Sequence, residues 1–338
     1  MIKYVDLFAG IGGFRQAMEN LSQTHNIKSK CVGYSEIDKY ALQTYKANFD
    51  TSKELEIGDI TKIVDYDALP NFDALFAGFP CQPFSIMGKE LGFLDSRGTL
   101  FFQIEKIIEA KKPMFFILEN VRGLTTHNNG ETFKSIKKIL EQKLGYTVSS
   151  WVLNSRDYGV PQTRRRVYIV GTKNGKIIDM PLEKDPSKIP YPSTWHLLEK
   201  EVDEKYFLSD KLLKTILAHG SGNYYSKSEI NPIIAKPLTA SMHKMHRANQ
   251  DNYFSNSFIN GKYDAKSKAV KLKAGKKKIR KLTPLEAFRL QGFKDNFVEN
   301  AIKTGVSNTQ LYRQAGNSIS VPVAQSVLEQ VLNSNVIN

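Results

Sequence analysis

The stretch Phe72-Asp73-Ala74-Leu75-Phe76-Ala77-Gly78-Phe79-Pro80-Cys81-Gln82 decides the fold. Its apolar run reads as a strand buried on both faces, the kind that fills a parallel sheet, and it ends on a thiol. Open parallel sheets bind ligands beyond the carboxyl ends of their strands, so Cys81 stands where a ligand is expected. A second run, Met114-Phe115-Phe116-Ile117-Leu118, ends on Glu119-Asn120-Val121. The chain between Cys81 and Glu119 has room for a loop, a helix and a strand, which is one crossover unit. If the two strands are neighbours, a thiol and a carboxyl face one crevice on rails roughly 4.8 Å apart, spaced for one flat heterocycle.

Earlier in the chain, Lys3 to Phe8 reads as a strand that runs into Ala9-Gly10-Ile11-Gly12-Gly13-Phe14, and Arg15 to Leu21 has helical spacing. Strand, glycine turn and helix make a nucleotide-binding opening. A dinucleotide fingerprint needs a third glycine at position 15, where Arg15 stands, which speaks against a pyrophosphate and a nicotinamide dehydrogenase. The glycines either let the backbone approach a ligand or simply make a tight turn. The next strand, Lys30 to Tyr34, leads to Glu36, at about the offset where an acid meets ribose hydroxyls. An adenosine ligand without a pyrophosphate fits both features. Lys39 to Asn48 reads as a helix. Ile57-Gly58-Asp59-Ile60 reads as the close of a short strand, with Asp59 suited to an adenine amino group or to an Asx-turn cap.

A formal charge of +14 over 338 residues favours a polyanionic partner, nucleic acid first, over a basic surface kept for solubility. No apolar stretch approaches the roughly 20 residues of a membrane helix, and Met1 to Asp6 leads into a strand without a signal-peptide pattern, so a cytoplasmic protein is expected. Two cysteines, Cys31 and Cys81, make neither a disulfide framework nor a dedicated zinc site, and no metal is expected.

Ser85 to Phe93, with two glycines and Lys89, suits a lid over a ligand. Arg97, ahead of a helix from Leu100 to Ala110, suits a phosphate or a cap-region salt bridge. Lys134 to Leu144 reads as a packing helix, and Thr147 to Leu153 and Val167 to Gly171 as strands. Gln162-Thr163-Arg164-Arg165-Arg166 enters the second of these, and period-2 spacing sends Arg164 and Arg166 to one side. Two guanidiniums on a cleft lower a thiol pKa and hold an anionic or carbonyl group; a patch for backbone phosphate competes. Met242 to Arg247, with His243 and Lys244, suits major-groove or phosphate contacts or plain loop surface. Ala274 to Lys281 is a basic run for phosphate or solvent, and Val321 to Val331 has helical spacing with Pro322 near its first turn.

Asp6-Leu7-Phe8-Ala9-Gly10-Ile11-Gly12-Gly13-Phe14, Gly78-Phe79-Pro80-Cys81-Gln82, Asp95-Ser96-Arg97-Gly98-Thr99-Leu100-Phe101, Glu119-Asn120-Val121, Gln162-x-Arg164-x-Arg166, Arg280 to Phe293 and Gln314-Ala315-Gly316-Asn317-Ser318 resemble, in order, the motifs of DNA cytosine-5 methyltransferases of the bacterial and phage restriction-modification type. The resemblance implies an α/β fold, a doubly wound Rossmann-like sheet that depends on S-adenosylmethionine, plus a smaller variable DNA-recognition domain. Residues 1–174 would be the first part of the catalytic domain, 175–279 the target-recognition domain, and 280–338 the return to the catalytic domain. It implies methylation at carbon 5 of a cytosine flipped out of duplex DNA, with Cys81 bonding carbon 6, Glu119 at N3, and Arg164 and Arg166 in support. Cofactor contacts fall on Phe8, Gly10, Ile11, Gly13, Glu36, Ile37, Asp59, Ile60, Pro80, Leu100, Asn317 and Ser318. DNA contacts fall on Ser85, Met87, Gly88, Lys89, Arg97, Thr239, His243 and Lys244, with Met87 where family members carry a small polar residue. The implied partners are double-stranded DNA, bound as a monomer, and a separate cognate restriction endonuclease, with no membrane. A tRNA cytosine-5 methyltransferase would share the chemistry but lack the sizeable variable segment, and a non-catalytic homologue would lose Cys81 or Glu119.

Overall fold

The computed structural model describes residues 1–80, 99–185, 189–218, 220, 221, 224, 225, 229–244, 247, 249–274 and 278–336. Seven strands form one sheet: β1 (Ile2–Leu7), β2 (Ser29–Ser35), β3 (Leu55–Glu56), β4 (Ala74–Gly78), β5 (Phe115–Val121), β6 (Thr147–Asn154) and β7 (Arg165–Thr172). Their order is β3-β2-β1-β4-β5-β7-β6. β1 pairs in parallel with β2 and β4, as do β2 with β3 and β4 with β5, whereas β7 runs antiparallel to β5. The order reverses between β1 and β4, so the ends of these two strands open on the switch-point crevice where α/β sheets hold ligands.

Both faces of the sheet are covered. Val5, Leu7, Leu75, Ala77, Phe116, Leu118, Val167 and Ile169 share a core with Ile104, Ile107 and Ile108 of α3 (Thr99–Lys111) and Ile136 of α4 (Glu131–Lys138). The alternate strand positions face α1 (Gly13–His25): the Phe76 ring packs 5.2 Å from Tyr4 and 5.4 Å from Phe14. A strand apolar on both faces reads as a nearly continuous hydrophobic run, which is why the sequence reveals β4 and β5 so plainly. Farther along α1, Asn20 donates to Gln325 (3.3 Å) and His25 meets Glu329 (3.1 Å), both on α10 (Val321–Asn333). The α2 helix (Lys39–Asn48) begins where expected, because the Asp38 carboxylate accepts from the Tyr40 and Ala41 N–H groups. The short strand expected to close at 57–60 instead pairs only at Leu55–Glu56, and Gly58, at φ +67°, turns the chain out of the sheet.

The chain divides into two units: Met1–Leu153, Arg165–Leu182 and Val323–Asn338 in one, Asn154–Arg164 and Glu183–Pro322 in the other. The second unit is built of short pieces: α5 (Asp210–Leu217), β8 (Gly220–Ser221) with β9 (Tyr224–Tyr225), β10 (Tyr253–Ser255) with β13 (Ile279–Lys281), α6 (Asn256–Ile259), β11 (Lys262–Asp264) with β12 (Ala269–Lys271), α7 (Pro284–Arg289), α8 (Asp295–Lys303) and α9 (Asn308–Asn317). Within it a charged pair is buried: Arg280, 1% exposed, forms a fork to Glu286 at 2.6 and 2.8 Å, and Glu286 closes a capping box with Thr283. Among the described residues no helix is long and apolar enough to cross a membrane.

Candidate active site

The turn after β1 is held open by backbone geometry. Phe8, Gly10 and Gly12 all lie at positive φ (+54°, +56° and +88°), and a side chain as bulky as phenylalanine seldom adopts this conformation. Gly12 caps α1, and a Cβ there would stand 2.4 Å from the Phe49 ring, so no other residue fits. Gly10 N–H donates to Glu36 Oε2, and Ile37 and Asp38 N–H both donate to Oε1, each at 2.8 Å. The carboxylate is thereby aimed by three amides at the end of β2. Ile37 beside it is 75% exposed, while Ile11, Gly13 and Ile60 are buried. Asp59 Oδ1 accepts from the Thr61 amide and hydroxyl (2.9 and 2.7 Å), which makes it the cap of a short 3-10 turn.

At the start of this turn Asp6 is 1% exposed. Burial pushes its carboxyl up to about 8, against the neighbouring Arg15 guanidinium and backbone N–H, and its Oδ2 has no hydrogen-bond partner among the described residues. Arg15 itself occupies the position of the missing third glycine. It bonds Tyr45, Glu54 and the Asp50 carbonyl (3.1, 2.7 and 3.2 Å) and lies 4.5 Å over the Phe49 ring.

Next along the crevice, Gly78 of β4 is registered opposite Glu119 of β5. Asn120, 1% exposed, donates from Nδ2 to the Phe79 carbonyl at 3.0 Å and so pins the chain that leads to Cys81. Because β7 is antiparallel to β5, its first residues lie at the same sheet end, and Val121 pairs with Arg166. Arg166 Nε stands 3.2 Å from Glu119 Oε1, an ion pair with side chains 19% and 10% exposed. Pro80 is exposed, and Leu100, in the first turn of α3, is half-buried. Cys81, Ser85, Met87, Gly88, Lys89 and Arg97 lie outside the described residues.

The first unit thus sets a glycine turn with an aimed acid beside the end of β2, and a carboxylate paired with an arginine at the ends of β5 and β7. The family model described as C-5 cytosine-specific DNA methylase matches residues 2–333. The chain belongs to the cytosine-5 DNA methyltransferases. It is 42% identical over 331 residues to the Type II methyltransferase M1.ScrFI of Lactococcus lactis subsp. cremoris, covering 98% of this chain and 78% of that one. To M.NlaX of Neisseria lactamica it is 40% identical over 336 residues, covering 98% and 96%. Its fold resembles that of the Entamoeba histolytica methyltransferase EhMeth, with TM-score 0.75 and 22% identity over 98% of each chain. The methyltransferases of this family depend on S-adenosylmethionine. The tRNA methyltransferase and the non-catalytic homologue are not favoured.

In the second unit of this methyltransferase, Arg164 is 3% exposed and donates to the carbonyls of Leu238, Gly316 and Ser318 at 3.1, 3.2 and 2.8 Å. Gln162, fully buried, donates to the Leu290 carbonyl and accepts from Leu238 N–H. Gly316 is a glycine of necessity, since a Cβ would lie 2.3 Å from the Thr239 backbone. These three residues brace the segment that carries Thr239. The sequence motifs contain Gln162, Gly316 and Asn120 but give them no role, since a backbone partner distant in sequence leaves no local pattern. Asn317 is exposed and Ser318 buried. Thr239 Oγ1 accepts from Arg247 (2.8 Å), His243 Nδ1 donates to the Ala240 carbonyl (2.9 Å) and Lys244 is exposed.

Proposed function

We propose that this methyltransferase modifies carbon 5 of a cytosine in a specific duplex sequence with Cys81 as nucleophile and Glu119 as the group at N3. The observation that carries the reading is the β4–β5 register, which sets Gly78, three residues before Cys81 in sequence, opposite Glu119 of the Glu119–Arg166 pair. Carbon 5 is a poor nucleophile in an aromatic ring. Addition of the Cys81 thiolate to carbon 6, with Glu119 supplying a proton or strong hydrogen bond at N3, saturates carbon 6 and moves the double bond between carbons 4 and 5, so that carbon 5 becomes the nucleophilic carbon of an enamine. An ordinary thiol near pKa 8.5 is only a few per cent ionised at neutral pH, a penalty of about 2 kcal/mol, and Arg166 offsets part of it. Arg164, expected to share that side, instead commits its guanidinium to the carbonyls of Leu238, Gly316 and Ser318. S-adenosylmethionine, when bound, supplies an electrophilic methyl group. Loss of the carbon-5 proton then expels Cys81 and restores the ring.

The turn supports an adenosyl seat. Glu36, aimed by three amides, suits ribose hydroxyls; exposed Ile37 suits a base face; Phe8, Gly10, Ile11 and Gly13 bring backbone close; Asp59, with Ile60 behind it, keeps Oδ2 for an amino group. For Pro80, Leu100, Asn317, Ser318, Ser85, Met87, Gly88, Lys89 and Arg97 the roles rest on the motifs. Thr239, His243 and Lys244 are assigned to DNA, Thr239 to a phosphate beside the flipped base, and residues 175–279 to target recognition. The enzyme acts as a monomer in the cytoplasm; the Type II names of its relatives support a place in a restriction-modification system, alongside a cognate endonuclease. Methyl transfer from labelled cofactor to plasmid DNA, with bisulfite sequencing of the product, tests the reading. One cytosine context should be modified; transfer to tRNA and not to duplex DNA would contradict it.

A further inference from the structure

The basic run from Ala274 to Lys281 divides once its described members are followed individually. Lys278 pairs with Glu204 at 2.8 Å, and Arg280 is buried against Glu286. Lys281 differs. It ends β13, opposite Tyr253 of β10, and its Nζ lies 5.3 Å over the Tyr312 ring. Among the described residues no carboxylate stands within ion-pair distance of it and no hydrogen bond reaches its Nζ. Asp251, the acid that faces it, is already held by the Arg247 N–H (2.8 Å) and guanidinium (3.4 Å). Burial pulls the Lys281 ammonium below its ordinary value, against the opposing pull of Asp251, so the fold carries a partly desolvated cation with no ion-pair partner among the described residues.

This cation lines a cleft with Thr239, Met242, Gln250, Asp251 and Tyr312. Tyr312 is fixed beneath it by a hydrogen bond to the Leu282 carbonyl, so the ammonium rests on a rigid face. The Thr239 hydroxyl accepts from Arg247 and keeps its own proton to donate. One ammonium and one hydroxyl donor suit an oxygen-rich anion that needs a point charge rather than a planar fork. We infer that Lys281 and Thr239 together seat one phosphate of the DNA backbone, with Lys281 supplying the charge and Thr239 a directed hydrogen bond. The inference rests on the proposed phosphate role of Thr239 and adds to it the residue that makes the seat salt-dependent.

Binding of the full chain to two duplexes, one of unrelated sequence and one carrying the methylated site, is to be measured by fluorescence anisotropy across a salt series. Lys281→Met is expected to weaken both by the same factor and to reduce the slope of log K against log salt by about 0.9, the share of one phosphate. Lys281→Arg, which keeps the charge, should restore the slope. An unchanged slope in Lys281→Met, a loss confined to the methylated site, or a failure of arginine to restore it would overturn the inference. Weakened binding of inorganic phosphate with an unchanged DNA slope would assign the seat to a free anion and overturn it equally. A wild-type chain that binds no duplex would instead sink the broader reading, whereas a null result for Lys281 alone leaves methylation by Cys81 intact.

Discussion

At the level of single residues, Glu119 and Arg166 show how chemistry and stability separate. Breaking a buried ion pair by removing one partner costs about 3–5 kcal/mol, because the other charge is left alone. Arg166→Met strips the guanidinium from a carboxylate that is 10% exposed, so it is expected to lower both the urea midpoint and activity. Glu119→Gln keeps the shape and should hold stability while lowering kcat by about 10²–10⁴. Equal stability losses in the two variants with unchanged kcat in Glu119→Gln would reduce Glu119 to packing. Asp6 makes a second test. Its pKa is raised to about 8 in the folded chain by burial, so the folded state holds a proton that the unfolded state releases near pH 4. Stability should therefore fall as pH rises toward 8 and level off above it. Asp6→Asn should flatten the melting temperature between pH 6 and 8, and parallel curves for the two proteins would contradict the assignment. The sequence marks Glu119, Arg166 and Glu36 because they close strands or precede them, but nothing in it distinguishes Asp6 as a buried acid.

At the level of elements, glycines carry constraints that side chains reveal only by being absent. A Cβ at Gly171 would stand 2.0 Å from the Phe116 ring across the β5–β7 ladder, so Gly171→Ala is expected to cost about 1–3 kcal/mol in urea unfolding, as overpacking does. Gly316→Ala meets backbone rather than a ring, 2.3–2.4 Å from Thr239 and Ala240. It should shift the Thr239 segment and weaken DNA binding beyond its effect on melting; an unaltered DNA affinity would detach Gly316 from that segment. The strands and helices around the crevice were legible because each is long and buried on a regular period: β4, β5, α2 and α10 stand where apolar spacing puts them. The two-residue β3 is too short to carry a period. Between 183 and 279 the strands run two or three residues, and their pairing is set by partners distant in sequence, which no local pattern encodes.

Over the whole molecule, a charge of +14 accords with a chain whose substrate is a polyanion. Neutralising Lys276, Lys277 and Lys278 should weaken binding to all duplexes alike and flatten the salt dependence, with a smaller share from Lys278 because Glu204 already pairs it. A change confined to one sequence would instead make these lysines base readers. The family, its fold and its dependence on S-adenosylmethionine are settled by agreement of motifs, sheet and relatives; the covalent step is where the account is most exposed. An oligonucleotide carrying 5-fluorocytosine at its target cytosine cannot lose a carbon-5 proton, so the elimination that frees Cys81 is blocked. With S-adenosylmethionine present, mass spectrometry should find the DNA bonded irreversibly to Cys81. The absence of such an adduct, or its attachment to any other residue, would contradict the account.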